Sequence, residues 1–343
     1  MKSLIIFALL PIFAFAQHKE AFKVAIVAFY NCENFYDTVH NPLIFDVDFT
    51  PKGDYKYNTP IYLDKVLKLA TVISEIGMDI TRDGIAIIGV AEIENDTVLN
   101  DLINSPLLKS RNLKFVHYDC KDSRGIDVAL IYNPKYFVVE KSKPVYIALP
   151  RNSKYERFTR DILWVTGKLD GERIHLLVNH WPSRLGGEKE SEPNRIAAAA
   201  VCKIQLDEIQ KTEPNAKVII MGDLNDEPTN KSVLKILIAK ENINEVDKGN
   251  LYNPFSELYK KGIGTLAFND SWSLFDQIIL TYPWINKQQS GFFFFKQFIF
   301  NKEYMFENKG MFKGYPMRTW DGFNYRGGYS DHFPSYLVLL KRV

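Results

Sequence analysis

Short apolar runs that border directly on polar residues set the pattern of the chain. Four aliphatic runs, at 24–29, 85–90, 175–178 and 218–221, lead straight into polar residues. Runs of this length are typical of buried strands. Two further runs, 278–280 and 336–340, have their polar residues just before them. The end of one strand lies beside the start of an antiparallel neighbour, so we expect both sets of polar residues at one sheet edge.

Apolar residues spaced three to four apart predict helices between these strands. One such face consists of Leu63, Val66, Leu67, Ala70, Ile73 and Ile76. A second, after Pro193-Asn194, consists of Ile196, Ala200, Val201 and Ile204. Strands interleaved with helices predict an α/β fold in which sheets pack on one another and helices cover them outside. No repeat, low-complexity tract or long linker divides the chain.

The first sixteen residues form a separate segment. Lys2 precedes an apolar run over 4–15 that closes on Ala14-Phe15-Ala16. A basic start, a short apolar stretch and this small-residue ending are typical of a secretory signal. A buried first strand is the alternative. The run is too short for a membrane span, which would need about 20 apolar residues. No cysteine follows the run, so nothing indicates a lipid anchor. We therefore expect cleavage before Gln17 and an exported protein, periplasmic or extracellular, with residues 17–343 as one domain.

Composition narrows the classes of protein. Hydrophobic residues make up 46% and charged residues 24%, which indicates a packed globular protein rather than a disordered one. The net charge of +2 argues against a protein that coats nucleic acid by bulk electrostatics, although a local basic patch is compatible with it. Cys32, Cys120 and Cys202 allow one disulfide at most and match no zinc motif. Buried small side chains are the favoured interpretation.

The polar residues beside the runs have a common chemistry of carboxylates, amides and two imidazoles. They are Asn31, Glu92, His180, Asp223, Asn225, Asp276, Asp331 and His332. Hard oxygen ligands suit Mg²⁺, Mn²⁺ or Ca²⁺, and histidine beside such a metal indicates proton transfer near neutral pH. Metal and acid–base residues together can hydrolyse a phosphate ester. Taken singly, each could be a cap or turn residue; 222–225 could be an Asx turn and 330–332 a surface loop.

Six short motifs together give the chain a resemblance to a known superfamily. They are Phe29-Tyr30-Asn31, Ala91-Glu92, Asn179-His180-Trp181-Pro182-Ser183-Arg184, Gly222-Asp223-Leu224-Asn225, Phe275-Asp276-Gln277-Ile278 and Ser330-Asp331-His332. In this order they resemble the endonuclease/exonuclease/phosphatase superfamily, which includes DNase I-like nucleases, abasic-site endonucleases, neutral sphingomyelinases and inositol phosphate phosphatases. The segment 180–184, followed by Gly186-Gly187-Glu188, Ser191-Glu192 and Arg195, is similar to its bacterial predicted-extracellular-nuclease branch. The resemblance implies a DNase I-like four-layered α/β sandwich of two packed mixed β-sheets flanked by helices, with the site at one rim.

The resemblance also implies a role for each motif residue. Glu92 would be the principal ligand of a divalent metal, Mg²⁺ first and Mn²⁺ or Ca²⁺ as alternatives, with Asn31 beside it. Asp331 would add to the metal site or orient His332.

The remaining motif residues would carry out the chemistry. Asp223 would orient or deprotonate the attacking water, and Asn225 would hold a phosphate oxygen. His180 would protonate the leaving oxygen, with Asp276 supporting its imidazole. His332 would contact the phosphate as a cation or transfer a proton.

Residues near the motifs could contact substrate. Arginine pairs well with phosphate, which makes Arg124, Arg160, Arg184 and Arg318 candidate substrate-binding residues; a solvated face is the alternative. Trp320 could stack on a base or belong to the core. The run 292–295 is either a core strand or a hydrophobic hairpin that touches lipid.

These observations predict an exported, metal-dependent phosphodiesterase, an endonuclease on DNA or RNA. One alternative is a phosphatase or phospholipase C-type enzyme acting on lipid head groups or on sugar or inositol phosphates. The other is an inactive binding protein on the same fold, which the retained Glu92, Asp223 and two histidines disfavour. No stable protein partner is implied, and we expect a monomer.

Overall fold

The computed structural model describes residues 21–150, 158–288 and 290–343. The expected secretory segment, 1–16, lies outside these ranges. Within them, no helix combines the length and the apolar character that crossing a membrane requires.

Seventeen strands and four helices are described. In chain order they are β1 Phe22–Phe35, α1 Thr59–Glu75, β2 Ile87–Ile93, α2 Asp96–Ile103, β3 Lys114–His117, β4 Asp127–Tyr132, β5 Phe137–Val145, β6 Ile162–Leu169, β7 Glu172–His180, α3 Glu188–Thr212, β8 Val218–Asp223, β9 Ala239–Lys240, β10 Leu251–Tyr252, α4 Phe255–Lys260, β11 Leu266–Phe268, β12 Ser271–Ser273, β13 Asp276–Thr281, β14 Phe293–Ile299, β15 Trp320–Asp321, β16 Asn324–Tyr325 and β17 Ser335–Arg342. Short 3₁₀ turns lie at Val47–Phe49, Lys109–Arg111, Ile243–Glu245, Tyr282–Trp284 and Glu303–Met305, and a π turn at Ser232–Ile236.

The strands form two large mixed sheets. The first has the order β14-β17-β1-β2-β4-β3 and the second β5-β6-β7-β8-β13-β10-β9. In the first sheet β1 is parallel to β2 and antiparallel to β17. In the second, β8 is parallel to β7 and antiparallel to β13. The pairs β11-β12 and β15-β16 form small separate ribbons.

Three apolar cores hold four layers together. The central core joins the inner faces of the two sheets, with Val27 and Ile87 from the first against Met221 and Ile278 from the second. A second core lies between the first sheet and helices α1 and α2, and a third between the second sheet and α3. Burial of apolar surface between layers is the main stabilising contribution to such a fold. The predicted four-layered α/β sandwich is confirmed.

Both predicted helix faces were wrong in detail. In α1 the side chain of Leu63 is 55% exposed, whereas Leu69 and the charged Lys65 are buried. The apolar positions of α1 fit two overlapping stripes on the helix surface. The stripe that packs against the protein core includes Lys65, whose ammonium donates to the Thr319 hydroxyl and the Tyr329 carbonyl.

The second helix, α3, begins at Glu188 and contains Pro193 within its span rather than starting after it. Its buried face includes Arg195, Ala198, Ala199, Cys202 and Leu206, while Ile204 is exposed. Burial of Arg195 is possible because the Asp226 carboxylate accepts from its Nε at 2.6 Å. A pattern of apolar residues alone does not predict such a face.

Most of the run 292–295 is buried in the protein core, as is Trp320. Phe293 and Phe294 are buried in β14, an outer strand of the first sheet, with Phe295 exposed, which favours the core-strand interpretation of this run. Trp320 packs in the core against Tyr55, Tyr57 and Tyr325. All three cysteines are free thiols, and burial raises the pKa of Cys32 and of Cys202 to about 12.

Candidate active site

Strand register brings the predicted residues to one rim of the sandwich. In the second sheet, Asp223 at the end of β8 pairs with His180 of β7 on one side and with Asp276 of β13 on the other. In the first sheet, Asn31 pairs with Ala91, the residue before Glu92. Ser335 of β17 pairs with Phe29, which places His332 at the same end. The expected meeting of strand ends and strand starts is confirmed.

Several rim residues have left-handed backbone. Glu92 has φ = 62° inside β2, Glu33 and Asn34 both have φ = 50°, and Asn225 has φ = 48°. The register of β1 shifts between Asn31 and Phe35, and that of β2 shifts between Ala91 and Ile93. Such bulges redirect side chains, and strained backbone of this kind clusters at functional sites. The strain is therefore concentrated at predicted site residues, Glu92 and Asn225 among them; the side-chain amide of Asn225 donates to the Trp181 carbonyl at 3.0 Å.

Asp223 lies at the centre of the rim. Its Oδ2 accepts from Asn31 Nδ2 at 3.0 Å and its Oδ1 accepts from the Asn225 backbone N–H at 2.9 Å. The Nε2 atoms of His180 and His332 lie 3.6 Å and 3.9 Å from Oδ2. Burial and the nearby Asp276 carboxylate raise the pKa of Asp223 to about 6, against the lowering effect of His332. A carboxylate whose conjugate acid has this pKa can accept a proton from water near neutral pH.

His332 forms a close pair with Asp276. Its Nδ1 lies 2.7 Å from Asp276 Oδ2, deep in the site. Burial favours the neutral imidazole, but the carboxylates of Asp276, Asp331 and Asp223 outweigh it and hold the pKa of His332 well above its usual value. The predicted support of His180 by Asp276 was wrong. Asp276 begins β13, whose inner face packs against β17 in the central core, and this directs its carboxylate to His332.

His180 has the opposite electrostatic environment. Burial, then the positive charges of Arg160, Arg124 and His332, hold the pKa of His180 well below its usual value. Its Nδ1 is buried and has no hydrogen-bond partner among the described residues. Its Nε2 lies 3.9 Å from Glu92 Oε1. His180 is therefore the neutral histidine of the site, and His332 the cationic one.

The donor set at the rim fits a divalent cation. Glu92 Oε2 accepts from the Asn34 backbone N–H at 2.7 Å, while Oε1 faces the cleft residue His180. Asn31, Glu92 and Asp223 together supply the carboxylate and amide oxygens that Mg²⁺ or Mn²⁺ prefers. Asp223, Asp276 and His332 also present ligand atoms within 4.8 Å of one another. Burial, the largest cause of the raised pKa of Asp223, and the nearby Asp276 carboxylate both disfavour its charged form, and a cation would offset both effects.

Asp331 lies further out than the other rim residues. Its Oδ1 is 3.9 Å from His332 Nε2, and its Oδ2 is 3.5 Å from Arg318 Nη2. The orientation of His332 is set by Asp276 rather than by Asp331, which corrects one of the two roles expected for Asp331. Its other expected role, as a metal ligand, stays a prediction.

Two of the four arginines expected to bind substrate are held by the protein. Arg160 is buried and donates to Asp122 and to the carbonyl oxygens of His180 and Trp181. Its guanidinium therefore positions the end of β7, and the prediction that it binds substrate was wrong. Arg184 donates to the carbonyl of Asn225 at 2.9 Å and lies over the Phe275 ring.

The other two arginines keep contact with solvent. Arg124 and Arg318 are about half exposed, each near one carboxylate, Asp122 and Asp331 respectively. A cavity beside Asp331, here called the rim cavity, is lined in part by Phe268, Phe312, Tyr315, Arg318 and Arg326. Phe268 is largely exposed to solvent and Phe312 is about half exposed.

A buried polar network behind the rim was not predicted. Glu33 accepts from the Thr319 backbone N–H at 2.7 Å, and its carboxylate lies 3.9 Å from the Lys65 ammonium. Ser330 Oγ donates to the Asn31 carbonyl and accepts from the His332 backbone N–H. Ser330 stood inside a recognised motif, so sequence could have indicated it. Lys65 could not be identified, because a lysine within a helix pattern is ordinarily on the exposed face.

Comparisons with known proteins agree with this fold. An endonuclease/exonuclease/phosphatase family protein from Bacteroides thetaiotaomicron is 16% identical, covers 94% of this chain and 97% of its own, and superposes with a TM-score of 0.54. Mannosyl-6-phosphatase from the same organism is 17% identical, with coverage of 92% and 99% and a TM-score of 0.53. D. rerio TDP2 in complex with a single-strand DNA product is 14% identical, with coverage of 92% and 98% and a TM-score of 0.52.

At these identities the solved structures establish the fold alone, and no curated protein sequence matches the chain. The sequence model of one family, however, matches residues 26–341, nearly the whole length. The chain belongs to the endonuclease/exonuclease/phosphatase family.

Proposed function

We propose that the protein is an exported, metal-dependent phosphodiesterase that cleaves DNA or RNA. The observation that carries the hydrolytic part is the arrangement around Asp223, where a carboxylate of raised pKa lies between a neutral and a cationic histidine. Glu92 and Asn31 lie beside it as ligands for the metal. In-line attack on phosphorus needs an activated water, charge neutralisation and an acid for the leaving oxygen. This group of residues, with a metal ion, can supply all three.

The roles of the side chains follow from their charges. Asp223 accepts the proton of the attacking water, held in place by Asn31 and by the Asn225 backbone. His332, cationic and buried, contacts the phosphate and supplies the proton to the leaving oxygen. The resemblance assigns this proton transfer to His180, but the lowered pKa of His180 leaves its imidazole neutral, and a neutral imidazole is a poor acid. A bound divalent cation would supply further charge neutralisation and lower the pKa of a coordinated water.

Features of the rim cavity support a nucleic acid substrate. Exposed aromatic rings at Phe268 and Phe312 lie beside Arg318, next to Asp331 of the catalytic rim. Bases stack on aromatic side chains in sequence-tolerant binding, and arginine pairs with phosphate. TDP2 is a family neighbour whose structure holds a single-strand DNA product. These points favour a flexible nucleic acid strand that lies across the rim.

A small phosphoester is the second candidate substrate. The net charge is only +2, and Arg160 and Arg184 donate to protein acceptors rather than to the cleft. A nuclease commonly carries a larger basic surface. One structural neighbour is a mannosyl-6-phosphatase, and sugar phosphates therefore belong in the same experiment.

Export and membership of the bacterial extracellular branch are part of the proposal. Both depend on the segment 1–16 and on the motif that runs from His180 to Arg195.

The test is a substrate panel for the chain from Gln17 onward. It contains single- and double-stranded DNA, RNA, phospholipids and sugar phosphates, each with Mg²⁺, Mn²⁺ or Ca²⁺ and with excess chelator. We expect metal-dependent cleavage of nucleic acid and its reversible loss on chelation. Cleavage confined to lipids or small esters would overturn the substrate, and turnover in excess chelator would overturn the metal-dependent mechanism.

Substitutions in the active site distinguish hydrolysis by this protein from hydrolysis by a contaminating enzyme. Asp223→Asn and His332→Ala should each lower kcat/KM by about 10² or more while the fold is unchanged by circular dichroism. Glu245→Gln, an exposed carboxylate on the 3₁₀ turn Ile243–Glu245, is the matched control and should keep full activity. Equal activity in all three variants would contradict the assignment of the site.

A further inference from the structure

A second group of metal-binding side chains lies outside the catalytic rim. His117 ends β3, Asp127 begins β4, and Asp119 lies in the loop between them. Each offers one ligand atom, and the three atoms lie within 4.8 Å of one another. None of the three was singled out in the sequence, and none takes part in the proposed hydrolysis.

The Nε2 atom of the His117 imidazole faces this group. The side chain of His117 is only 2% exposed. Its Nε2 is buried and, among the described residues, makes no hydrogen bond. It faces Asp127 Oδ2 at 3.4 Å. A buried polar atom left in this state costs free energy, and a cation between the imidazole and the carboxylates would satisfy it.

Outer contacts orient both buried ligands. Nδ1 of His117 lies 2.9 Å from Asp96 Oδ1. Burial lowers the pKa of His117, but the carboxylates of Asp127 and Asp96 outweigh it and raise that pKa, so a metal ion at Nε2 would displace a proton there. In metalloproteins a ligating histidine commonly donates its other ring N–H to a carboxylate. Asp127 Oδ1 accepts from the Cys120 backbone N–H at 3.0 Å, so Oδ2 is the free oxygen.

The surroundings add negative charge. Asp161 borders the same small cavity as Asp127, and burial, with the Asp127 carboxylate, raises the pKa of Asp161. One imidazole and two carboxylates form a ligand set that suits first-row divalent metals such as Mn²⁺ or Zn²⁺ better than Mg²⁺.

We propose that His117 Nε2, Asp119 and Asp127 Oδ2 bind a first-row divalent metal ion at a second site, separate from Glu92 and Asn31. The ion joins β3 and β4 to the loop 118–126. That loop carries Arg124, whose carbonyl accepts from the Tyr36 hydroxyl and whose charge acts on His180. Metal at the second site therefore fixes the loop that borders the catalytic rim.

The experiment measures Mn²⁺ stoichiometry and affinity by equilibrium dialysis, with thermal unfolding as a second readout. Glu92→Gln is the background in every sample, so that binding at the catalytic rim is weakened throughout. In that background Asp119→Asn is compared with Asp79→Asn, an exposed aspartate at the turn after α1. Asp119 is itself exposed, so its substitution leaves the fold intact.

We expect the Asp79→Asn protein to bind Mn²⁺ and to gain thermal stability from it, as mass action requires. Asp119→Asn should lower the affinity for Mn²⁺ by more than about tenfold. Asp96→Asn should lower it by about tenfold, because Asp96 orients the ligating imidazole of His117. Equal Mn²⁺ binding by the Asp79→Asn and Asp119→Asn proteins would overturn the site, as would the absence of any Mn²⁺-dependent change in Tm. His117 would then be a cation that bridges Asp96 and Asp127. None of these outcomes depends on the substrate proposed above.

Discussion

Two histidines of one site differ in charge because their neighbours differ. His332 contacts Asp276 at 2.7 Å and lies near Asp223 and Asp331, so carboxylates outweigh the effect of burial on its pKa. His180 is just as buried, and burial together with the positive charges of Arg160, Arg124 and His332 lowers its pKa, even though the Asp223 carboxylate lies 3.6 Å from its Nε2. Environments that push the pKa values of two groups apart are how one site supplies both an acid and a neutral partner. At the scale of the residue, Asp276 decides which histidine is the acid.

Asp276→Asn tests this assignment through the pH profile. The change removes the carboxylate that stabilises the His332 cation, so the pKa of His332 falls. Activity depends on the cationic form, which exists below that pKa. The alkaline limb of kcat/KM should therefore move to lower pH, and kcat/KM at neutral pH should fall by about 10² or more.

A structural role alone would lower activity without moving the pH limb. Asp247→Asn, on an exposed turn, is the control and should match the parent profile. An Asp276→Asn profile of unchanged shape would show that His332 does not depend on this carboxylate for its charge.

At the scale of the element, helix α3 is attached to the catalytic loop by a buried ion pair. Arg195 is fully buried and donates from Nε to Asp226, three residues after Asp223. Its other nitrogens donate to the Ser191 hydroxyl at 2.7 Å and to the Glu188 carbonyl at 2.8 Å. The Ser232 hydroxyl donates to the second oxygen of Asp226. The start of α3 is thus tied to the loop that follows β8.

Arg195→Ala should lower the free energy of unfolding by about 3 to 5 kcal/mol, because the buried Asp226 carboxylate loses the arginine that donates to it and keeps only the more distant Arg184, at 3.6 Å. Denaturant unfolding followed by circular dichroism measures the change. The matched control is Arg173→Ala, which removes an exposed arginine that pairs with Glu140. Solvent screens that pair, so its loss should hardly change stability. Similar losses in the two variants would contradict the structural role of the buried pair.

At the scale of the whole molecule, the rim exists because two sheets pack with their strand ends aligned. Asp223 and Asp276 come from the second sheet, and Asn31, Glu92 and His332 from segments of the first. Gly89 permits the close approach of the sheets, since a Cβ there would lie 2.7 Å from Met221 Sδ. The catalytic groups thus depend on the inter-sheet core as a unit.

The start of the mature chain is a prediction at the same scale. Expression of the full chain in a bacterial host that exports proteins should release a product whose first residue is Gln17, because the run 4–15 ends in Ala14-Phe15-Ala16. N-terminal sequencing or intact mass measures this. Replacement of Ala14 and Ala16 by Leu should block cleavage. Material that begins at Met1 in the wild type would show that the segment is not a cleaved signal.

The alternation of apolar runs and polar ends was enough to predict six strands (β1, β2, β7, β8, β13 and β17), the layered α/β class and the edge at which Asp223, His180 and His332 meet. These features are local, since a buried strand needs a continuous apolar run and its polar neighbours must lie at its end. Spacing also located two helices, but two of the six apolar positions predicted to pack in α1 are exposed, and none of the four predicted in α3 is buried. The packed faces contain Lys65 and Arg195, whose burial depends on Thr319 and Asp226, partners distant in the chain.

Only the tertiary structure decided how the site residues pair. Asp276 supports His332 and not His180, and Arg160 holds the end of β7 and not a substrate. It also assembled His117 and Asp127 with Asp96 into a group that no motif marks. Sequence alone determined which chemistry is present and at which edge, because residue type and strand periodicity are properties of short segments. Which carboxylate faces which imidazole, and which charge is neutralised, depends on contacts between segments far apart in sequence, and these exist only in the folded chain.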